Sequence, residues 1–198
     1  MQSVCVYCGS SFGNDEIYRA AAVRLGHTLA DEKIRLIYGG GRVGLMGVIA
    51  DTVLSAGGSV TGIIPRFLSD QELSHKGLSE LIIVETMHER KQAMFEHAAG
   101  FIAMPGGFGT FEEIFEMITW GQLGLHRKPC AFYNTNGFYD GIARSVDRAV
   151  ADGFIGKEFS DTIYFDDDPH RIISRFSSFT PSIPDKAKHA LDELTEKG

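Results

Sequence analysis

The stretch Phe101-Ile-Ala-Met-Pro-Gly-Gly-Phe-Gly-Thr-Phe-Glu-Glu-Ile114 passes from an apolar run through a glycine-rich turn into a helix-length amphipathic segment. A short apolar run without polar alternation is typical of a strand buried on both faces, as in a parallel sheet. Units of this kind recur along the chain. They predict strands at residues 4–7, 36–38, 60–64, 81–85, 101–104, 130–133 and 162–165, and helices at residues 16–33, 45–57, 87–99, 110–123, 139–152 and 169–179.

Strands that alternate with helices predict an α/β fold, and right-handed crossovers between parallel strands make such a sheet doubly wound. We therefore expect a Rossmann-like parallel sheet of about seven strands with helices on both faces. Residues 1–180 are predicted to form a single domain, because the pattern continues without an internal repeat. The segment from Thr180 to Pro184 is typical of a linker, so residues 181–198 are expected to be this linker and a C-terminal tail or surface helix.

Composition and charge limit the classes of protein to which the chain can belong. Its 198 residues carry a net charge of −7, which argues against a nucleic-acid or anionic-membrane binder with a basic face. No apolar run approaches the ~20 residues that span a bilayer, and the N-terminus lacks the basic region of a signal peptide. We expect a cytoplasmic protein. Cys5 and Cys8 have C-x-x-C spacing but fall at a strand, which favours packing cysteines over a redox pair.

Three predicted strands end in small, glycine-rich turns, and in a parallel sheet such turns meet at the carboxyl edge where ligands bind. They are Cys8-Gly-Ser-Ser11, Gly39-Gly-Gly-Arg-Val-Gly-Leu-Met-Gly47 and Pro105-Gly-Gly-Phe-Gly-Thr110. Glycine lets backbone N–H groups approach an anion, and the N-terminus of the following helix adds partial positive charge. One such turn can simply separate a strand from a helix. Three at one edge predict a ligand that carries a phosphate.

Motifs of other nucleotide and metal sites fit less well. Gly39-Gly-Gly-Arg-Val-Gly44 matches the dinucleotide motif G-x-G-x-x-G, but it follows the second strand instead of the first. The third strand ends in Gly62-Ile-Ile-Pro65, without an acidic residue for a ribose hydroxyl. A Walker P-loop is absent, and His88-Glu89 does not complete the zinc motif H-E-x-x-H because Gln92 takes the last position. The sequence therefore predicts neither a metal nor a cofactor.

Charged residues at the same edge come from the starts of two helices. Arg90 and Lys91 follow the fourth strand; a solvated helix face is their usual role, but Arg also suits bidentate recognition of phosphate. Thr110 and Glu113 match a capping box with Thr110 as the N-cap. The alternative is that Glu112 and Glu113 face a ribose. A carboxylate there stabilises the positive charge that develops at the anomeric carbon when an N-glycosidic bond breaks.

Taken together, these motifs resemble the Lonely-guy (LOG) family, whose members are cytokinin riboside 5′-monophosphate phosphoribohydrolases. Pro105-Gly-Gly-Phe-Gly-Thr-Phe-Glu-Glu113 matches the family signature P-G-G-x-G-T-x-x-E. The segments Met87-His-Glu-Arg-Lys91 and Ile118-Thr-Trp-Gly-Gln-Leu-Gly124 are also similar to the family, as are the turns after the first two strands. The resemblance extends from about Val4 to Phe176, with one departure at Gly121, where many relatives have Ala.

The resemblance implies a homodimer that acts without a cofactor. It would hydrolyse nucleoside 5′-monophosphates, such as AMP and cytokinin riboside 5′-monophosphates, to the free base and ribose 5-phosphate. The implied catalytic pair is Arg90 and Glu113. The implied substrate-binding residues are Ser10, Gly41, Met46, Glu72, Lys91, Gly106, Gly107, Phe108, Gly109, Thr110, Phe111, Glu112 and Thr119.

Two other functions stay open at this point. A non-catalytic nucleotide or cofactor carrier would share the glycine turns but would not need Arg90 and Glu113 together. An NAD-dependent oxidoreductase is disfavoured by the missing acidic residue after the third strand. The predicted helix at residues 111–123 is apolar around more of its surface than one sheet can cover. This pattern indicates either a fully buried helix or a dimer interface, and the resemblance favours the dimer.

Overall fold

The computed structural model describes residues 1–71 and 73–180, in which one seven-stranded sheet is flanked by helices. The strands are β1 (Ser3–Tyr7), β2 (Arg35–Tyr38), β3 (Val60–Pro65), β4 (Glu80–Val84), β5 (Phe101–Ala103), β6 (Cys130–Tyr133) and β7 (Ile163–Asp166). The helices are α1 (Glu16–Asp31), α2 (Gly44–Ser55), α3 (Arg66–Ser69), α4 (Met87–His97), α5 (Phe108–Gln122), α6 (Asp140–Ala151), α7 (Lys157–Ser160) and α8 (Pro169–Ser177). The predicted linker and tail at residues 181–198 lie outside the described residues.

The strands lie in the order β4-β3-β2-β1-β5-β6-β7, and every neighbouring pair is parallel. The chain winds outward from β1 to β4, crosses back through α4, and continues from β5 to β7 on the other side of β1. This order confirms the predicted α/β, doubly wound, Rossmann-like sheet. Because the winding reverses between β1 and β5, the connections that follow these two strands lead to helices on opposite faces of the sheet and leave a crevice at the carboxyl ends of the strands.

Helices cover both faces of the sheet. One hydrophobic core joins the sheet to α1, α2 and α8, and a second joins it to α4 and α5. Representative buried residues are Leu25, Ile49 and Ile172 in the first core and Met94, Ile114 and Met117 in the second. Cys5 and Cys8 belong to opposite cores, and both are buried free thiols, as the packing interpretation predicts.

Local sequence chemistry sets several element boundaries. The Asp168 side chain caps α8, and Pro169 takes the first helical position, as predicted. Gly57 and Gly153 have φ values of 79° and 80° just past α2 and α6, which ends both helices where the sequence predicts. The sequence does not predict α3, α7 or the 3-10 turn at Thr135–Gly137, because such short elements show no periodicity.

The predicted capping box at the start of α5 is wrong. The helix begins at Phe108 with Gly107 as its N-cap, and no side chain of the described part of the chain caps it. Thr110 therefore lies inside the first turn, where its buried side chain packs against Gly106. The sequence suggests a later start because glycine is a poor helix former, which assigns Gly109 to the turn. None of the described helices is long and apolar enough to cross a membrane.

The three glycine-rich loops at the carboxyl edge pack directly on one another. Gly44, the first residue of α2, has a φ of 61° and lies against the backbone of Ser10. The Leu45 N–H donates a hydrogen bond to the Gly9 carbonyl at 3.1 Å, and the Gly9 N–H donates one to the Pro105 carbonyl, also at 3.1 Å. The loops after β1, β2 and β5 therefore form one connected rim.

We expect Gly44→Ala to destabilise the chain more than Gly57→Ala does. Both glycines have positive φ, so each substitution costs ~1–2 kcal/mol of backbone strain. A Cβ at Gly44 would also collide with the Ser10 carbonyl group, whereas a Cβ at Gly57 would meet no atom within 4 Å. This overpacking should cost a further ~1–3 kcal/mol. Urea unfolding of the two variants measures the difference, and equal losses would contradict the packing of the rim.

Candidate active site

A cleft of about 330 Å³ lies at the carboxyl ends of β1 and β5, where the winding reverses. Its walls come from the loop after β1, from Gly39 at the end of β2, from Met46 on α2, from the first turns of α4 and from the start of α5. This is the position at which open parallel sheets bind ligands. The cleft is therefore the candidate active site.

The start of α5 offers backbone amides to an anion. The N–H groups of Phe108, Gly109 and Thr110 belong to the first turn, where a helix has no acceptors of its own and carries partial positive charge. A Cβ at Gly107 or Gly109 would meet no atom of residues 1–71 or 73–180 within 4 Å, so these residues leave this wall open. At Gly106, directly behind it, a Cβ would collide with Thr110. A phosphate can approach the open amides closely.

Arg90 reaches the cleft from the first turn of α4, and backbone carbonyls fix its guanidinium. Its Nε donates to the Ile63 carbonyl at 3.2 Å, and its Nη2 donates to the Gly39 carbonyl at 3.3 Å. A Cβ at Gly39 would collide with Nη2, so the glycine leaves the space that the guanidinium occupies. The Arg90 side chain is only 13% exposed. The cation is thus held in one place by the ends of β2 and β3.

Glu113, on α5, faces Arg90 across the cleft. Nη1 of Arg90 and Oε1 of Glu113 are 3.7 Å apart, and the Glu113 side chain is also only 13% exposed. Burial raises the pKa of Glu113 to about 7, and the negative charges of Glu112 and Glu116 act in the same direction. The positive charges of Arg90 and Lys91 oppose this rise but do not cancel it. The carboxyl group can therefore exchange a proton near neutral pH, as a general acid or base must.

Lys91 points away from the cleft and toward α5. Its Nζ donates hydrogen bonds to Glu112 at 2.6 Å and to Glu116 at 3.0 Å. Burial by itself would lower the pKa of Lys91, but the bonds to the two carboxylates outweigh it and raise the pKa. Lys91 is thus a bridge between α4 and α5.

Most of the predicted site residues meet in the cleft. Those that line it are Ser10, Met46, Arg90, Gly107, Phe108, Gly109, Thr110, Glu112 and Glu113. Gly41 and Gly106 lie behind this lining. A Cβ at Gly41 would come within 2.8 Å of the Met46 Cε atom, and one at Gly106 would collide with Thr110.

Other predicted residues lie elsewhere. Lys91 contacts α5 as described, and Phe111 packs against Phe138 and Tyr139. Thr119 is exposed, and its hydroxyl donates a hydrogen bond to the Phe115 carbonyl at 2.7 Å. Glu72 lies outside the described residues.

Several residues of the site have no individual role in the sequence analysis. Gly39 appears there only as part of a glycine motif, although its missing side chain makes room for Arg90. Met87 and Met94 line the cleft beside Arg90, and their i, i+3, i+7 spacing could have revealed this shared helix face. Glu116 follows Glu112 by one turn, which places the two carboxylates on one face of α5, but the sequence does not show that this face lies opposite Lys91.

The described residues give no sign of a metal centre. Within residues 1–71 and 73–180, no three His, Cys, Asp or Glu side chains converge to bind a metal ion. Cys8 lines the cleft, but burial raises the pKa of its thiol well above the ordinary range, so the thiol stays protonated at neutral pH. The polar groups that the cleft offers to a ligand include backbone amides, Arg90 and carboxylates.

Comparisons with known proteins identify a family and several relatives. A family model described as "Possible lysine decarboxylase" matches residues 46–176. The chain is 50% identical, over 152 residues, to the cytokinin riboside 5′-monophosphate phosphoribohydrolase LOG2 of Arabidopsis thaliana, which covers 77% of this chain and 71% of that protein. It is 43% identical, over 195 residues, to the probable cytokinin riboside 5′-monophosphate phosphoribohydrolase LOGL1 of Oryza sativa subsp. japonica, covering 98% of this chain and 87% of that one.

Solved structures share the fold at lower identity. The molybdenum cofactor binding protein from Rippkaea orientalis matches with a TM-score of 0.68 and 18% identity, over 89% of this chain and 96% of that one. The structural genomics target TM1055 matches with a TM-score of 0.67 and 23% identity, over 90% of this chain and 100% of that one. At these identities the likeness concerns the fold alone.

We expect Glu113→Gln to remove a pH-dependent destabilisation. Because folding raises the Glu113 pKa from 4.5 to about 7, the folded chain holds this proton more tightly than the unfolded chain. The wild type should lose stability as the pH rises through this interval, by on the order of 3 kcal/mol, and no more above it. Gln cannot ionise, so the variant should lack this loss.

Urea unfolding at pH 5 and pH 8 measures the effect, with Glu96→Gln on the exposed face of α4 as the control. If wild type and Glu113→Gln differ by the same amount at both pH values, the buried carboxyl does not behave as described.

Proposed function

The chain belongs to the LOG family of cytokinin riboside 5′-monophosphate phosphoribohydrolases, and we propose that it hydrolyses the N-glycosidic bond of nucleoside 5′-monophosphates. The products are the free base and ribose 5-phosphate. One observation carries the proposal: the same cleft combines the open amides of α5 with the buried pair of Arg90 and Glu113. The amides are suited to binding a phosphate, and Arg90 and Glu113 are suited to cleaving the N-glycosidic bond.

The charges of the cleft determine how the nucleotide is oriented. Its phosphate binds the N–H groups of Phe108, Gly109 and Thr110, which are the open donors at the positive end of α5. Glu112 and Glu113 cannot face the phosphoryl oxygens, because like charges repel strongly in a partly buried site. They face the neutral ribose. This orientation places the anomeric carbon beside Glu113.

Ionised Glu113 acts where the glycosidic bond breaks. The electron pair of the C1′–N bond goes to the base nitrogen, which takes up a proton from solvent, and positive charge develops on the ribose ring. The Glu113 carboxylate stabilises this charge and accepts a proton from the attacking water, whose oxygen forms the new bond to C1′. A pKa of about 7 suits a group that accepts this proton and then releases it.

Arg90 supplies a cation whose position is set before substrate binds. Its two carbonyl contacts remove the need to reorganise during the reaction, which is what makes electrostatic stabilisation effective. The 3.7 Å separation from Glu113 is longer than a direct hydrogen bond. Arg90 therefore favours the ionised form of Glu113 and still has donors for a phosphate or ribose oxygen.

We propose AMP and cytokinin riboside 5′-monophosphates as the substrates. Met46, Met87 and Met94 give the cleft an apolar lining, and methionine adapts to ligands of different shape. Such a wall suits a flat purine with or without an N6 substituent. The Arabidopsis and rice relatives are named for cytokinin riboside 5′-monophosphates, which supports this substrate class.

A non-catalytic carrier is the alternative that the shared fold suggests. The Rippkaea protein is described as binding the molybdenum cofactor, but at 18% identity it informs only the fold. A carrier has no use for a buried carboxylate that opposes a fixed guanidinium, since burying such charges is costly. The Arg90–Glu113 pair favours the hydrolase.

We further propose that residues 1–180 act as one hydrolase domain of a cytoplasmic homodimer. The three cysteines are buried and free, which fits a reducing compartment. Leu123 and Leu125, at the end of α5, are 56% and 64% exposed. A second copy packed against this end of α5 would cover them, as a self-complementary interface would.

We expect the protein to release adenine from AMP and to cleave adenosine far more slowly, because only the nucleotide carries the phosphate that the α5 amides bind. Glu113→Gln should retain AMP binding and lose turnover by ~10²–10³, the usual effect of removing one electrostatic contact to a transition state. Chromatographic detection of the released base measures both effects.

The matched control is Glu96→Gln, whose exposed side chain lies outside the cleft and whose activity should equal that of the wild type. Equal rates on AMP and adenosine would contradict the proposed role of the phosphate in binding. If Glu113→Gln keeps more than about a tenth of the wild-type kcat, the carboxylate does not have the proposed catalytic role.

We expect light scattering at micromolar concentration to give the mass of a dimer. Leu123→Lys should weaken the dimer, because it places a charge in the proposed apolar interface. Phe154→Lys changes a residue that is also exposed but lies just past α6, so it should leave the dimer intact. A monomeric wild type, or equal effects of both substitutions, would be evidence against an interface at the end of α5.

A further inference from the structure

The neighbouring residues Arg90 and Lys91 serve different parts of the site. Successive side chains on a helix are about 100° apart, so the two cations leave α4 in different directions. Arg90 enters the cleft, whereas Lys91 crosses to Glu112 and Glu116 on α5. Two cations on α4 thus face three carboxylates on α5, the third being Glu113.

Glu116 occupies an unusual position in this group. It does not line the cleft, and it is half-buried in the groove between α4 and α5. One of its carboxylate oxygens accepts the hydrogen bond from Lys91 at 3.0 Å. The other is fully buried and accepts no hydrogen bond from any residue that the structure describes. A buried carboxylate oxygen that accepts no hydrogen bond destabilises a fold. Stability alone therefore does not account for an ion pair at this position.

The first turn of α4 depends on polar contacts. Met94 is the only described residue of α4 that is buried, and it lies one turn beyond Arg90. Toward the N-terminus, the helix is held by Arg90, which binds the carbonyls of Gly39 and Ile63, and by Lys91, which binds α5. The Lys91 bridge therefore fixes the distance between the helix that carries Arg90 and the helix that carries Glu113.

We propose that Glu116 is a positioning residue for the hydrolysis: it anchors Lys91, and through Lys91 it holds Arg90 and Glu113 in their working geometry. This inference rests on the proposed function. Glu112 shares the lysine, but it is exposed, so solvent screens its ion pair. Glu116 is the less exposed of the two anchors and does not touch the substrate.

The surroundings of Glu113 give the proposal a second readout. From α4, Arg90 and Lys91 lower the Glu113 pKa, and from α5, Glu112 and Glu116 raise it. From β1 and the loop after it, the groups near Glu113 are Cys5, Tyr7 and Cys8, whose own pKa values are raised by burial, so that they are neutral at pH 7. Removing the Glu116 charge must therefore lower the Glu113 pKa, and removing the Lys91 charge must raise it.

The test uses Glu116→Gln, which keeps the size of the side chain and removes its charge. We expect kcat on AMP to fall about tenfold with less than about a threefold change in KM, because misplaced catalytic groups affect turnover more than binding. The midpoint of the Glu113 carboxyl titration, followed by ¹³C NMR in the ligand-free protein, should move down by about 0.5 to 1 pH unit. Glu96→Gln, in the same groove but without contact to Lys91, should change neither value.

Lys91→Met supplies the second variant and remains informative if Glu116→Gln does not fold. It should also lower kcat, but it should move the Glu113 midpoint upward. General loosening of the fold would lower kcat in both variants without moving the midpoint in opposite directions, and that result would overturn the proposal. An unchanged kcat in Glu116→Gln would overturn it as well.

The titration also separates this proposal from the proposed function. If the wild type cleaves no nucleotide, the proposed hydrolysis fails, but the ligand-free titration still tests the link between Glu116 and Glu113. Opposite movements of the midpoint in the two variants would then support that link. A midpoint that stays in place would refute it.

Discussion

The rest of the cleft depends on the interaction between Arg90 and Glu113. Several elements of the fold are needed to hold these two side chains opposite each other. Two nearly buried opposite charges are tolerable only when their geometry is fixed and further polar partners are supplied. The ends of β2 and β3 supply them for Arg90 through the Gly39 and Ile63 carbonyls. Among the described residues, no comparable set of donors faces Glu113, and burial raises its pKa. The fold thus keeps the guanidinium fixed and leaves the carboxyl group able to change its charge.

The reversal of winding between β1 and β5 explains why these groups can meet at all. In a parallel sheet every carboxyl end lies at one edge, but a space opens only where successive connections pass to opposite faces. The glycines then determine how closely the parts of that space approach one another. Gly44 lets α2 lie against the loop after β1, and Gly39 leaves room for Arg90. The glycine-rich sequences therefore serve packing between loops, in addition to the anion binding proposed for them.

The sequence predicts the sheet, its seven strands and the edge that carries the site, because the alternation of apolar strands and amphipathic helices is a local pattern. It does not predict the start of α5. Glycine favours turns and threonine favours the N-cap position. In the structure, however, the extended Gly107 is the N-cap, and Thr110 is buried inside the first turn. Nor does it predict that Lys91 turns away from its neighbour Arg90, since the direction of a side chain depends on which helix lies opposite. Glu116 escapes notice for the same reason.

An acidic cluster beside an anion site looks contradictory in a chain with a net charge of −7, yet the described contacts resolve it. Glu112 and Glu116 are both paired with Lys91, so only Glu113 presents a carboxyl group to the cleft without a hydrogen bond to a cation. At a pKa of about 7 this group is partly protonated at neutral pH, which weakens its repulsion of an incoming phosphate. A phosphate in the proposed orientation would then meet mainly the positive end of α5 and Arg90. In the proposed reaction, ionised Glu113 lies beside the carbon at which positive charge develops. Under the proposed mechanism, the same raised pKa that makes the carboxyl group costly to bury would let one small cleft accept an anion and then stabilise a cation.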